Sequence, residues 1–232
     1  FRTRDARLPP LEASRTHRVD LTVRERELEV APATTLAAMT YNGQFMGPVL
    51  QARLGERMQV HLVNDGSMGH SIDFHAGVLP PDDVMRSINP GESLVYEFTA
   101  RRAGIWMYHC STMPMSAHIA AGMFGALIVA PADLPTVDRQ YVLVQSETYL
   151  AEQNNQPVDT GKIADEKVDL TMFNGHANQY LFAPLQARVG ERVRFWVLAA
   201  GPSRGMSFHI VGAQFDTVFK EGAYLLRRDD PG

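Results

Sequence analysis

Short segments in which apolar and polar residues alternate recur along the chain from about residue 19. The stretches 19–23, 28–30, 57–63 and 93–100 show this alternation, and turns rich in glycine, asparagine or proline separate them. A period of two places successive side chains on opposite faces of a strand. Many short strands with a turn about every ten residues predict an all-β chain folded as a sandwich or barrel.

The pattern occurs twice. Residues 50–60 (LQARLGERMQV) return as 185–195 (LQARVGERVRF), with seven identities in eleven positions at an offset of 135. Residues 41–43 (YNG) return as 173–175 (FNG) at an offset of 132. An internal repeat of this kind predicts two copies of one β-domain of about 100 residues rather than one large sandwich.

Composition divides the chain into four segments. We expect an N-terminal arm at 1–16, a first domain at 17–131, a polar proline-bearing linker at 132–140 and a second domain at 141–232. The first residues include neither an initiator methionine nor an apolar signal core, which we interpret as a processed or trimmed terminus.

The repeat also predicts what the second domain lacks. Its His209 corresponds to His75 at an offset of 134, but 56 residues lead from His75 to Pro131 and only 23 lead from His209 to Gly232. The counterpart of the segment around Cys110 is therefore expected beyond Gly232, and the second domain is incomplete in this sequence.

Bulk composition excludes several classes of partner. The net charge of −4, from 22 basic and 26 acidic residues, gives no reason to expect binding to nucleic acid or to an anionic membrane. No apolar run approaches the ~18 residues of a transmembrane helix, so we predict no transmembrane segment. The single cysteine excludes an internal disulfide.

That cysteine, Cys110, is the centre of the candidate chemistry. His118 follows it by eight residues and Met123 by thirteen, and His70 lies in the preceding strand-like segment. One thiolate, two imidazoles and a weak thioether are the ligands of a type 1, electron-transfer copper. A structural zinc site takes four strong ligands at closer spacing. The alternative is a buried free cysteine with incidental histidines.

A second set of residues is expected on the opposite side of the strands. Side chains separated by an odd number of positions diverge, so His109 points away from Cys110 and His75 away from His70 if the segment is extended. Asp73 shares the face of His75. Two imidazoles with open positions suit a second copper that meets substrate, although a further histidine is needed to complete the site.

These motifs resemble a known family. The segment HSIDFH (70–75), the YHC motif (108–110) with its later histidine and methionine, and GMFGALIV (122–129) look like the first domain of the copper-containing nitrite reductases and their multicopper oxidase relatives. The resemblance extends over residues 19–232. It implies two tandem cupredoxin-like Greek-key β-sandwich or barrel domains, the second without a type 1 site.

The resemblance implies a role for each candidate residue. It assigns His70, Cys110, His118 and Met123 to type 1 copper and His75 and His109 to type 2 copper, with a third type 2 histidine expected beyond Gly232 from a neighbouring subunit. It makes Asp73 and His209 the catalytic residues that bind nitrite and deliver protons. The expected oligomer is a homotrimer.

The implied reaction is the copper-dependent, one-electron reduction of nitrite to nitric oxide. An electron from a donor protein, a cupredoxin or a cytochrome c, enters at type 1 copper and passes through Cys110 and His109 to type 2 copper. The resemblance also places the protein outside the cytoplasm, in the periplasm or extracellular space.

Two other functions compete. A laccase-like multicopper oxidase, which reduces oxygen at a trinuclear cluster, needs paired H-x-H motifs, and this sequence contains none. A blue-copper electron-transfer protein would use the type 1 set but would leave Asp73, His75, His109 and His209 without a role.

Overall fold

The computed structural model describes residues 2–77 and 85–225. Strands dominate these ranges, and the helices are short. The strands are β1 (Thr16–Ala31), β2 (Thr34–Tyr41), β3 (Leu50–Arg53), β4 (Arg57–Asn64), β5 (Asp73–Phe74), β6 (Ser93–Thr99), β7 (Gly104–His109), β8 (Phe124–Ala130), β9 (Arg139–Thr148), β10 (Leu170–Phe173), β11 (Val193–Ala199), β12 (Phe219–Lys220) and β13 (Tyr224–Leu225). The helices are α1 (Met115–Ala120), α2 (Thr160–Ala164) and α3 (Gln179–Phe182).

Two four-stranded sheets form the first unit, in the orders β2-β1-β4-β6 and β3-β8-β7-β5. The apolar faces of both contribute to one buried cluster that includes Leu21, Leu62, Phe74, Tyr96 and Leu127. The inward side chains alternate with more exposed ones along β4 and β6, as the sequence pattern predicts. Burial of one face of each sheet accounts for the sandwich, and the all-β prediction is confirmed.

The second unit repeats part of this arrangement. Its sheet order β10-β9-β11 reproduces β2-β1-β4, with the same antiparallel and parallel pairings. Asn42 and Asn174, at equivalent turns, both adopt a positive φ, 57° and 53°. The prediction of two tandem copies of one β-fold is therefore confirmed at the level of the backbone.

One repeated segment differs between the units. Residues 50–53 form β3 because they pair with β8, whereas the equivalent residues 185–188 are not a strand. The described part of the second unit contains no counterpart of β8 for them to pair with. Identical sequence therefore yields a strand only where a partner strand is present.

Strand β1 differs from the sequence prediction of two short strands at 19–23 and 28–30. It is continuous because its first half pairs with β4 and its second half with β2. The charged run 24–27, which suggested a break, is held in the sheet by pairing with residues 37–40. Backbone pairing outweighs the local lack of apolar residues here.

The N-terminal residues run along the second unit. Ala6 is buried and accepts a hydrogen bond from the backbone N of Val142, and the N of Leu8 donates to Gln140 O. Arg4 donates to the carbonyl oxygens of Met46 and Gly47. The expected arm is thus fastened to both units.

A second apolar cluster lies between the two units. Val30 and Ile128 of the first unit pack with Val142, Val144 and Trp196 of the second.

None of the described helices combines the length and apolar character needed to cross a membrane.

Candidate metal centre

Three elements bring the first group of ligands together. Cys110 directly follows β7, His118 lies on α1, and His70 lies in the loop between β4 and β5. Cys110 Sγ is 3.3 Å from His118 Nδ1 and 4.0 Å from His70 Nδ1. The three ligand atoms lie within 4.8 Å of one another, and all three residues are buried.

Backbone hydrogen bonds fix this arrangement. Cys110 N donates to Met123 O at 3.1 Å, and Met123 N donates to His118 O at 3.0 Å. Met123 is fully buried in the same apolar cluster as Cys110. His118 itself lies on the short helix α1, a position that strand alternation did not predict.

The electrostatics favour a thiolate. Burial alone raises the pKa of the Cys110 thiol, but hydrogen bonds with His118 and His70 and the backbone N of Ser71 outweigh it and lower the pKa to about 5. A thiolate is the form of cysteine that binds metal. At neutral pH this group supplies one sulfur anion and two ring nitrogens.

Copper is the metal that this donor set fits. A thiolate and two imidazoles with a buried thioether alongside are the donors of a blue-copper site. Zinc would be expected to take four strong ligands, and Met123 is a weak one. His70 also has a carboxylate partner, Glu25, 2.8 Å from its Nε2, which leaves Nδ1 to face the sulfur.

The second group lies on the other side of β7. Asp73 and His109 are cross-strand partners in the pairing of β5 with β7. His75 Nε2 is 3.0 Å from His109 Nε2, and Asp73 Oδ2 is 3.9 Å from the same nitrogen. The ligand atoms of the three residues lie within 4.8 Å of one another.

This second group is more open than the first. His109 is buried, whereas the Asp73 side chain is 20% exposed and His75 is exposed. Burial, followed by the proximity of His109, lowers the pKa of His75. Two imidazoles and a carboxyl group at a site open to solvent suit a metal that must also admit a small ligand.

The two groups are joined through adjacent residues. His109 contributes to one and Cys110 to the other, as strand alternation predicts for neighbours. His109 Nδ1 is 2.9 Å from Cys110 O, which adds a hydrogen bond to the covalent link. The path between the two groups therefore runs entirely through the covalent bonds of one dipeptide.

The sequence-predicted His209 is placed elsewhere. It lies in the second unit, is exposed, and belongs to neither ligand group. The neighbouring Phe208 helps to line a cavity of about 440 Å³ that is separate from both groups. Within one copy of the chain, the structure does not bring His209 to Asp73.

Two neighbours of the ligand groups were missed by the sequence analysis. Glu25 contacts His70 across 45 positions of sequence, and Tyr96 lies beside Asp73. Burial and the charge of Asp73 raise the pKa of Tyr96 to about 12, so it stays neutral. Both residues look like ordinary strand positions in the sequence, and only sheet pairing brings them to the ligands.

Comparison with known proteins identifies the family. The multicopper oxidase family model matches residues 22–133. The copper-containing nitrite reductase of Neisseria gonorrhoeae is 31% identical over 221 residues, which cover 91% of this chain and 56% of that protein. The chain thus spans little more than half the length of the curated relatives that it matches.

Solved structures of copper-containing nitrite reductases are also similar to this chain. The copper nitrite reductase from Nitrosomonas europaea is 34% identical with a TM-score of 0.83, over 91% of this chain and 78% of that one. A copper-containing nitrite reductase from Thermus scotoductus is 26% identical with a TM-score of 0.83, over 90% of this chain and 50% of that one. On the identity to the Nitrosomonas enzyme over more than three quarters of its length, this chain belongs to the copper-containing nitrite reductase family.

Proposed function

We propose that this protein reduces nitrite to nitric oxide at a copper centre fed by a second copper centre. The observation that carries the proposal is the attachment of two different ligand groups to adjacent residues, Cys110 and His109. One group has the sulfur and nitrogen donors of an electron-transfer site, and the other is open and has a carboxylate beside it. A protein that only carried electrons would need the first group alone.

The reaction balances with one electron and two protons. Nitrite accepts both protons on one oxygen, the N–O bond to that oxygen breaks, and nitric oxide and water leave. Copper at the open group supplies a Lewis acid that holds nitrite and a source of the electron. The protein residues must bind the anion, deliver the protons and connect this group to the electron donor.

We assign type 1 copper to His70, Cys110, His118 and Met123 in the first domain, 17–131. The burial of these residues keeps water from the site, and the backbone hydrogen bonds that link Cys110, Met123 and His118 hold the ligands in place. His75 and His109 are assigned to type 2 copper. The Cys110–His109 dipeptide is then the bonded route between the two sites.

Asp73 is the residue that we assign to nitrite binding and proton delivery. Its Oδ2 lies 3.9 Å from His109 Nε2, so a ligand on the metal would lie within hydrogen-bond reach of the carboxyl group. The partial exposure of Asp73 gives it access to solvent protons. Tyr96, which is neutral, lies beside Asp73 and makes a side-chain hydrogen bond with its carboxyl group.

The open group has two imidazoles, and we propose that a neighbouring subunit completes it. In this account a third histidine comes from a segment beyond Gly232, and His209 of the second domain, 141–232, reaches the site of an adjacent copy in a homotrimer. The exposure of His209, which leaves its ring accessible to an adjacent copy, supports this assignment. We further propose export to the periplasm or cell surface and a cupredoxin or cytochrome c as donor.

Metal analysis together with a nitrite assay tests the proposal. The full-length protein is expected to bind two coppers per subunit and to form nitric oxide from nitrite with a reduced donor. One copper per subunit and no nitric oxide would support a blue-copper carrier instead. Oxygen consumption with a phenolic donor, without nitric oxide formation, would support a laccase-like oxidase.

A further inference from the structure

Glu25 lies on the outer side of the Cys110 group. Its Oε1 is 2.8 Å from His70 Nε2. The His70 side chain has no exposed surface, and that of Glu25 is 26% exposed. With Nε2 donating to this carboxylate, Nδ1 is the nitrogen left to bind metal, and it lies 4.0 Å from Cys110 Sγ.

The same carboxylate holds the loop that precedes His70. Ser67 N donates to Glu25 Oε2 at 2.8 Å. A side chain at Gly66 would place its Cβ 2.7 Å from Glu25 Oε1, so glycine leaves the room that the carboxylate occupies. One residue of β1 therefore fixes both the ring of His70 and the backbone that carries it.

We propose that Glu25 is a positioning residue for type 1 copper, which selects the metal-binding tautomer of His70 and favours the oxidised metal through its negative charge. The inference rests on the proposed function, because it assigns a role at the copper site. Carboxylates that accept the second ring N–H of a histidine ligand orient the ring and increase its basicity. A partly buried charge is also screened less than an exposed one.

Two substitutions separate orientation from charge. Glu25→Gln keeps an oxygen that accepts the His70 N–H but removes the negative charge. Glu25→Ala removes both. If Glu25 acts as proposed, the first variant changes the reduction potential, and the second also weakens the binding of copper.

The chain contains a matched control in Glu56. Its Oε2 is 2.6 Å from His17 Nε2 and accepts a hydrogen bond from Arg53 N at 2.7 Å, so it has the same kinds of partner as Glu25. His17 pairs with Met58 near the start of β4, whereas His70 lies beyond the end of that strand. At ~3.3 Å per residue, the length of β4 separates the Glu56–His17 pair from the Glu25–His70 pair by roughly 20 Å.

The test is a redox titration of the blue absorption of the full-length, copper-loaded protein. Glu25→Gln is expected to weaken the binding of oxidised relative to reduced copper about tenfold, which is a rise of ~59 mV in potential. Glu25→Ala is expected to lower copper affinity by about 10- to 100-fold. Glu56→Gln should match the unaltered protein in both properties.

The outcomes distinguish this inference from the proposed function. If both Glu25→Gln and Glu56→Gln have the reduction potential of the unaltered protein, the role of Glu25 is overturned. The proposed function still stands in that case if the unaltered protein is blue and forms nitric oxide from nitrite. An unaltered protein without a blue band overturns both. If Glu25→Ala does not fold, the potential of Glu25→Gln decides the question.

Discussion

His75 and His109 present their Nε2 atoms to each other at 3.0 Å, with ring planes 85° apart. His109 Nδ1 lies 2.9 Å from Cys110 O and donates its proton to that oxygen, so Nε2 is the His109 nitrogen that can bind a metal. Burial and the neighbouring ring lower the pKa of His75, which favours its neutral form. In the tautomer of His75 with its proton on Nδ1, both Nε2 atoms would bind one cation between them.

Replacement of His75 tests the independence of the two groups. His75→Ala is expected to reduce copper from two ions per subunit to one, because the open group keeps only one imidazole from this chain. The blue absorption should persist, since Cys110 and its partners are untouched. Metal analysis and absorption spectra measure both effects, and His61→Ala is the control, because that ring is 44% exposed and pairs with Asp20. Loss of the blue band in His75→Ala would contradict the separation.

Replacement of Asp73 tests proton delivery. Asp73→Asn is expected to lower nitrite turnover by about 100-fold or more while sparing the blue colour, because general acids contribute ~10²–10⁴-fold to rates. Asp65→Asn removes an exposed carboxylate that pairs with Arg24 and should leave turnover unchanged. Bleaching of the blue colour by Asp73→Asn would show that Asp73 belongs to the other group.

The sequence predicts the fold well because the repeat is explicit. The turns at 42–43 and 174–175 and the strands after Gly55 and Gly190 recur in the structure with similar backbone geometry. The continuity of β1 was not predictable from the charged run 24–27, because its strand state depends on pairing with β2 and β4. Long-range pairing decides such segments, and local composition does not record it.

The candidate site was predictable where strand alternation applies. Adjacent residues of β7 and the position after it diverge, which places His109 and Cys110 in separate groups. The position of His118 on a helix and the contact of Glu25 with His70 were not predictable, because neither follows from a period of two. The assignment of His209 came from resemblance, and the exposed position of this residue in one copy leaves its role a prediction.

The metal-free protein should show an acidic thiol. The folded-state pKa of Cys110, about 5, lies below its unfolded value of ~8.5, so the folded chain gains stability from the thiolate above pH ~8.5 and loses that gain as the pH falls through about 5. Ultraviolet thiolate absorbance against pH, with Cys110→Ala as background, measures the transition. A midpoint near pH 8.5 would contradict the hydrogen-bonded geometry around the sulfur.

The packing around Tyr108, which precedes His109 of the open group, should not tolerate a larger side chain at Gly125. A Cβ at Gly125 would lie 2.2 Å from Tyr108 Cζ, and Tyr108 is fully buried with its hydroxyl donating to Pro48 O. Gly125→Ala is therefore expected to lower the free energy of unfolding by about 1–3 kcal/mol. Urea unfolding of the metal-free protein measures this change. Gly205→Ala is the control, because nothing lies within 4 Å of its added Cβ. Equal decreases in the free energy of unfolding of the two variants would contradict tight packing at Gly125.

Reoxidation of the reduced protein by nitrite, without oxygen, tests most directly whether the Cys110–His109 link carries electrons to nitrite. Because Cys110 and His109 link the two groups, addition of nitrite to fully reduced, colourless protein is expected to restore the blue absorption and to release nitric oxide. His75→Ala should stay colourless under the same conditions. Recovery of the colour with oxygen but not with nitrite, or equal recovery in His75→Ala, would contradict nitrite reduction through the Cys110–His109 link.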